Sequence, residues 1–207
     1  MRETYFLCGN KIVLRPVEPD DYPEITKWFK DATVTYYMFY GQRPMNKLQI
    51  AEEIGKQVDS ANNVVMIIEE KVSGNVIGFM GLYDVHLTAR KAELRIMIGE
   101  KNLWGKGYGT EATELLTYYA FDRLNLNRVW LGVTSDSKRA FRTYERVGYQ
   151  VEGMLRQDIY RNSRYYDSIR MSILREDYYP DIYESHKKRF GVVEPEKIFE
   201  QSTPTES

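Results

Sequence analysis

Three glycines stand within five positions, at Gly105, Gly107 and Gly109, in the stretch LWGKGYGTEA. They separate a strand-patterned run, KAELRIMIG, from a helix-patterned run, TEATELLTYYAFDRL. No other feature of the chain constrains its fold as much. The backbone must turn sharply here, and glycine permits both that turn and the close approach of another group. In the first run Leu94, Ile96 and Ile98 share one face, and Glu93, Arg95 and Met97 share the other. In the second run Ala112, Leu115, Leu116, Tyr119 and Ala120 recur at helical spacing. Free N–H groups at the start of such a helix, with the helix dipole behind them, attract an anion, phosphate first.

Spacing excludes one familiar phosphate-binding loop and weighs against another. A Walker loop needs G-x-x-x-x-G-K-[ST], which is absent. A dinucleotide fingerprint needs G-x-G-x-x-G. Counted from Gly105 the sixth position is Thr110, and from Gly107 it is Ala112, which only the looser form admits. The preceding strand also lies between hairpins rather than in repeated βαβ units, which disfavours a dinucleotide site.

Elsewhere KIVLRPV reads as a strand, and Pro19-Asp20-Asp21 opens a helix carrying Ile25, Trp28 and Phe29 on one face. Lys47 to Asp59 reads as a helix. VVMIIEE and VIGFMGLYDV form a hairpin around Ser73-Gly74-Asn75. RVWLGVT is a strand, and Lys138 to Val147 a helix closed by Gly148. Strands near Tyr149–Ile159 and Tyr165–Leu174 flank Arg161-Asn162-Ser163. This order predicts one α+β domain with a mixed sheet over residues 1–178 and a C-terminal helical or flexible extension over 179–207, loose from about Val192.

The formal net charge of -1, from 29 basic and 30 acidic residues, gives no field for nucleic acid as main partner. Cys8 is the only cysteine, so an internal disulfide and a multi-cysteine metal site are excluded, and no metal is expected. No apolar run approaches the ~20 residues of a membrane span. The expectation is a cytoplasmic protein.

The run KAELRIMIGEKNLWGKGYGTEATELLTYYAF, followed by RVWLGVTSDSKRAFRTYERVGYQVEG, resembles the GCN5-related N-acetyltransferases (GNAT). Within them it is most similar to the group of ribosomal-protein N-terminal, spermidine and nucleotide-amino-sugar acetyltransferases, over about residues 10–178. Residues Trp104-Gly105-Lys106-Gly107-Tyr108-Gly109 match the family loop [Q/R]-x-x-G-x-[G/A] except at Trp104, a departure in a side chain rather than in the backbone cradle.

The resemblance implies a twisted, mostly antiparallel sheet flanked by helices, with a splayed and bulged strand before the loop. It implies acetyl-CoA as donor. The pyrophosphate would be held by N–H groups of Gly105, Lys106, Gly107, Tyr108, Gly109 and Thr110, with Trp104 beside them. Pantetheine would pair with the backbone of Ile96, Met97 and Ile98. An N–H of Met97 or Ile98 would polarise the thioester. Ser137 stands where the family often has an asparagine that contacts coenzyme A. Tyr144 matches the helix tyrosine that protonates the leaving sulfur, four residues after Ala140 and four before Gly148.

Glu93, 14 positions before Gly107, matches the strand glutamate that serves as general base in histone-type members, and a structural carboxylate paired with Arg95 is its alternative. Asp84 is a second carboxylate able to face the amine. His86 and Cys8 are weaker candidates for base and acyl carrier. Tyr36 and Tyr37, with Phe39 and Tyr40, and the hairpin bearing Arg156, Arg161 and Arg164 are candidate walls of the acceptor pocket. The resemblance implies as acceptor a small primary amine such as a polyamine or amino sugar, or a protein N-terminus. A homodimer is the expected assembly. A non-catalytic acyl-CoA sensor is the competing class.

Overall fold

The computed structural model describes residues 6–38, 42–161 and 163–191. Phe39, Tyr40, Asn162 and the expected loose tail lie outside the described residues.

Among the described residues eight strands form one sheet: β1 (Leu7–Cys8), β2 (Ile12–Pro16), β3 (Val64–Glu70), β4 (Val76–His86), β5 (Lys91–Ile98), β6 (Arg128–Thr134), β7 (Gln150–Arg161) and β8 (Arg164–Leu174). Their order is β1-β2-β3-β4-β5-β6-β8-β7, antiparallel everywhere except between β5 and β6. The helices are α1 (Tyr22–Lys30), α2 (Lys47–Asp59), α3 (Tyr108–Asp122), α4 (Lys138–Val147), α5 (Arg175–Asp181) and α6 (Tyr183–Phe190). None of the described helices is long and apolar enough to cross a membrane.

The sheet is covered on both faces, so its central strands read as apolar runs rather than as clean alternations. Ile25, Trp28 and Phe29 of α1, with Ile50 and Ile54 of α2, pack against Ile67, Phe79 and Met97. On the other face α3 sets Ala112, Leu115 and Leu116 against Leu14, Met80, Leu82 and Leu94. Met97 is therefore core, although it shares its face with Glu93 and Arg95.

Beyond β8, α5 and α6 dock on α3 through Tyr178, His186 and Phe190, all buried. Tyr178 stacks on Phe121, with centroids 4.6 Å apart. Arg175 and Asp177 precede Pro180, which breaks the apolar pattern in sequence; this is why no separate helices were legible there.

Candidate active site

The parallel ladder between β5 and β6 is short. It pairs Lys91 with Arg128, Ala92 with Val129 and Glu93 with Trp130, and then ends. From there β5 continues against β4 in unbroken register to Ile98, while β6 continues against β8 to Thr134. The two strands thus splay into a fork. The register irregularity lies on β4 between Tyr83 and His86, where Asp84 adopts a left-handed φ of 51°. The bulge is therefore on the strand beside β5, and the splay comes from lost pairing with β6.

Alternation decides which backbone groups face the fork. The Gly99 N–H donates to the Ile77 carbonyl at 2.9 Å, and the Arg128 N–H donates to the Arg90 carbonyl at 3.1 Å. Odd-numbered residues of β5 therefore bond to β4, and even-numbered ones turn toward β6. Ile96 and Ile98 present their N–H groups to the fork. Met97 does not: its N–H belongs to the pair with Phe79. This corrects the expectation that Met97 contributes an N–H there.

The glycine loop follows. Gly105 has φ 77° and Gly107 φ 88°, values that side chains disfavour. A Cβ on Gly105 would meet nothing within 4 Å, so the loop borders open space. Gly109 is within α3 and needs no such freedom. Gly107 is the N-cap of α3, so the helix begins two residues before the expected Thr110. The first bond to Gly107's carbonyl comes from the Glu111 N–H at 3.0 Å. The N–H groups of Tyr108, Gly109 and Thr110 therefore precede the first helical bond and have no partner within α3.

Side chains brace this loop. The Trp104 indole N–H donates to the Ile98 carbonyl at 2.8 Å, and the Arg139 guanidinium of α4 lies 4.3 Å from the Trp104 ring. The Tyr108 hydroxyl donates to Glu70, which pushes the Tyr108 pKa up. The Lys106 carbonyl accepts from Lys11 Nζ at 2.9 Å.

Glu93 is largely buried at the last rung of the ladder and accepts from Arg95 at 2.6 Å. Arg95 in turn lies 4.6 Å from the Tyr83 ring. Tyr144, on α4, is buried in the core cluster that also takes Ile96 and Ile98. Burial pushes its pKa up to about 12, and among the described residues its hydroxyl has no hydrogen-bond partner. Glu93 thus sits on the α1–α2 face of the fork and Tyr144 on the α3–α4 face. Ser137 is the N-cap of α4, without a side-chain capping bond.

Asp84 is exposed, one residue beyond Glu93's partner Tyr83. His86 is exposed, and its Nδ1 accepts from the Ala89 N–H at 3.0 Å, a turn-closing role. Cys8 lies on the outermost strand, with β2, β3 and β4 between it and β5.

The two candidate acceptor walls meet. Tyr36 and Tyr37 are exposed and pack edge to face with centroids 4.8 Å apart. Tyr166 of β8 stands close enough to Tyr36 to push its pKa up. The Tyr37 carbonyl accepts from Thr134 Oγ1 at 3.3 Å, and the Met38 carbonyl accepts from Arg161. Arg164 pairs with Asp136 and covers the Tyr166 ring. Arg156 stands apart, exposed on β7.

Lys11, Glu70 and Arg139 were not legible as neighbours of the loop. Lys11 is 95 residues from Lys106, and only the strand order brings them to one edge.

Comparison with known proteins agrees with this geometry. The chain is 28% identical over 171 residues to the spermidine N(1)-acetyltransferase of Escherichia coli (strain K12), covering 82% of this chain and 89% of that protein. An uncharacterized N-acetyltransferase of Bacillus licheniformis is 28% identical over 178 residues, covering 83% and 97%. The crystal structure of spermidine N-acetyltransferase from Vibrio cholerae in complex with CoA and spermine superposes with a TM-score of 0.76 at 26% identity, covering 82% of this chain and 99% of that one. The sequence profile of the acetyltransferase (GNAT) domain matches residues 11–150, and the chain belongs to that family of acetyl-CoA-dependent N-acetyltransferases.

Proposed function

We propose that this enzyme acetylates a small primary amine, a polyamine first, by direct transfer from acetyl-CoA. The observation that carries the reading is the fork: an open β5 edge at Ile96 and Ile98 leads into the open first turn of α3, with a carboxylate and a phenol on opposite faces. The relatives that act on spermidine favour a polyamine over a protein N-terminus.

In this reading pantetheine lies along Ile96 and Ile98, and the pyrophosphate lies on the N–H groups of Tyr108, Gly109 and Thr110. Open space at Gly105 suits so close an approach. The incoming ammonium competes with Arg95 for Glu93. Glu93 takes its proton, directly or through one water. The neutral nitrogen then attacks the thioester carbonyl carbon from the α1–α2 face. The Ile98 N–H donates to the oxygen as it gains charge. When the C–S bond breaks, Tyr144 supplies a proton to sulfur from the other face, and the surplus proton that the nitrogen carries after attack leaves through water and restores the phenol. Tyr36, Tyr37 and the β7–β8 hairpin shape the acceptor end, with Asp84 holding a second ammonium.

In this reading the acetyltransferase domain of residues 1–178 ends within α5, and the remainder of α5 with α6 forms the extension docked on α3. A cytoplasmic setting supplies acetyl-CoA. A homodimer is supported by β7, an edge strand exposed from Gln150 to Asp158 that carries Val151, Met154 and Leu155.

The test is thiol release from acetyl-CoA over spermidine, spermine, amino sugars and N-terminal peptides. Turnover with polyamines supports the reading. Turnover only with peptides would move the enzyme to the N-terminal class, and coenzyme A binding without any turnover would make it a sensor.

A further inference from the structure

The glycine loop is met by the ammonium of a residue three strands away, at the same end of the sheet. Lys11 stands at the start of β2, three strands from β5 in the sheet order. Its backbone N–H donates to Glu111 Oε1 at 2.8 Å, which fixes the start of β2 to the first turn of α3. Its side chain reaches the loop, where Nζ donates to the Lys106 carbonyl at 2.9 Å and lies 5.6 Å from the Tyr108 ring centroid. A Cβ on Gly107 would lie 3.4 Å from Nζ. An ammonium carries three donors, and a single carbonyl uses one of them. Lys11 is exposed, and among the described residues its Nζ has no further hydrogen-bond or ion-pair partner.

Two carboxylates that contact this region already accept hydrogen bonds from other groups than Nζ. Glu111 accepts from the Lys11 backbone, and Glu70 accepts from Tyr108 and Ser73. The positive end of α3 and its unbonded N–H groups at Tyr108, Gly109 and Thr110 share the same patch. A cation placed beside a left-handed glycine at a helix start, with donors to spare, suits a polyphosphate.

We infer that Lys11 is a cofactor-binding residue that donates to the pyrophosphate of acetyl-CoA from outside the loop, on the reading that this loop is the coenzyme A site. The Lys106 carbonyl holds the ammonium in place, so little side-chain ordering is left to the binding step. The pyrophosphate is favoured over the 3′-phosphate because Nζ stands at Gly107, the N-cap itself.

The test compares Lys11→Met and Lys11→Arg with wild type. Three acetyl donors are used: acetyl-CoA, acetyl-3′-dephospho-CoA and phosphate-free acetyl-pantetheine. Lys11→Met should raise KM about tenfold for both phosphate-bearing donors, leave kcat/KM for acetyl-pantetheine unchanged, and flatten the salt dependence of coenzyme A binding. Lys11→Arg should recover most of the loss. Equal loss with acetyl-pantetheine would show that Lys11 only clamps the loop, and no loss with any donor would remove it from the site. A loss confined to acetyl-CoA would overturn the pyrophosphate assignment in favour of the 3′-phosphate. Failure of the wild type to bind coenzyme A would instead overturn the reading of the loop itself.

Discussion

Glu93 and Trp130 form the last rung of the parallel β5–β6 ladder. Beyond them the strands part, and every polar group at the fork is assigned by that one register. Even-numbered residues of β5 turn their backbone into the opening, and odd-numbered side chains occupy the α1–α2 face. Glu93 is consequently the carboxylate closest in register to the opening, and Arg95 beside it is its ion-pair partner.

Glu93→Gln keeps the shape and removes the carboxylate. The variant should lose about 10²-fold in kcat/KM at neutral pH, the low end of the usual worth of a placed base, and recover part of it at high pH as more amine arrives neutral. Asp84→Asn should chiefly raise the amine KM. Asparagine tolerates the left-handed φ of 51° at that position, so the fold is preserved. The pH–rate profiles of both variants decide the assignment. Alkaline rescue in Asp84→Asn with a silent Glu93→Gln would exchange the two roles.

Tyr144→Phe removes a buried hydroxyl that has no hydrogen-bond partner among the described residues, so stability should hold. If Tyr144 is the acid, kcat should fall by roughly 10²–10⁴-fold while acetyl-CoA binding changes little. Burial holds its pKa up at about 12, so the hydroxyl keeps its proton across the working range and should produce no loss of rate below about pH 10. Single-turnover kinetics under conditions where chemistry limits the rate measure this. Wild-type turnover would leave Tyr144 as a packing residue.

Gly107 and Gly109 should respond differently. Gly107→Val forces a branched side chain into a φ of 88° and fills the approach to the first turn of α3. Coenzyme A binding should be largely lost, together with about 1–2 kcal/mol of stability. Gly109→Ala lies within the helix, and its Cβ would lie 3.6 Å from Ile98 Cγ1, an ordinary contact. The fold should accept it and gain a few tenths of a kcal/mol or more from helix propensity. Calorimetry with coenzyme A and thermal melts of both variants test the contrast.

The loop, the flanking strand and helix, and the position of Tyr144 were legible because each is a local pattern: glycines between two periodicities, then a helix closed by Gly148. The left-handed φ of Gly105, Gly107 and Gly148 is the physical reason for those glycines. Two things were not legible. The N–H polarity of β5 depends on its hydrogen-bond phase with β4, which side-chain alternation does not report, and so Met97 and Ile98 stayed undivided. The brace from Lys11 to Lys106 depends on strand order across the sheet. Tyr36 and Tyr37 were legible only as aromatics. Their place opposite Tyr166 and Arg161 comes from long-range packing.

His186 offers a test of the C-terminal helices that is separate from catalysis. It is 4% exposed, and its Nδ1 lies 2.9 Å from the Tyr178 hydroxyl. Phe190 and Tyr178 surround the ring, and Arg189 is the nearby charge. Burial, helped by Arg189, pushes its pKa down to about 4 from 6.5. A group that is harder to protonate in the folded state stabilises the fold above its unfolded pKa, and that contribution is lost as pH falls toward the folded value. Between pH 7.5 and 5 the loss should be about 2 kcal/mol, since each unit of pKa difference is worth about 1.4 kcal/mol. Urea unfolding at the two pH values measures it in wild type and in His186→Gln, whose amide can retain the bond to Tyr178 and does not titrate. The variant should be less stable at pH 7.5 yet lose less on acidification. An equal acid loss in both proteins would place the sensitivity elsewhere and leave His186 as a packing residue.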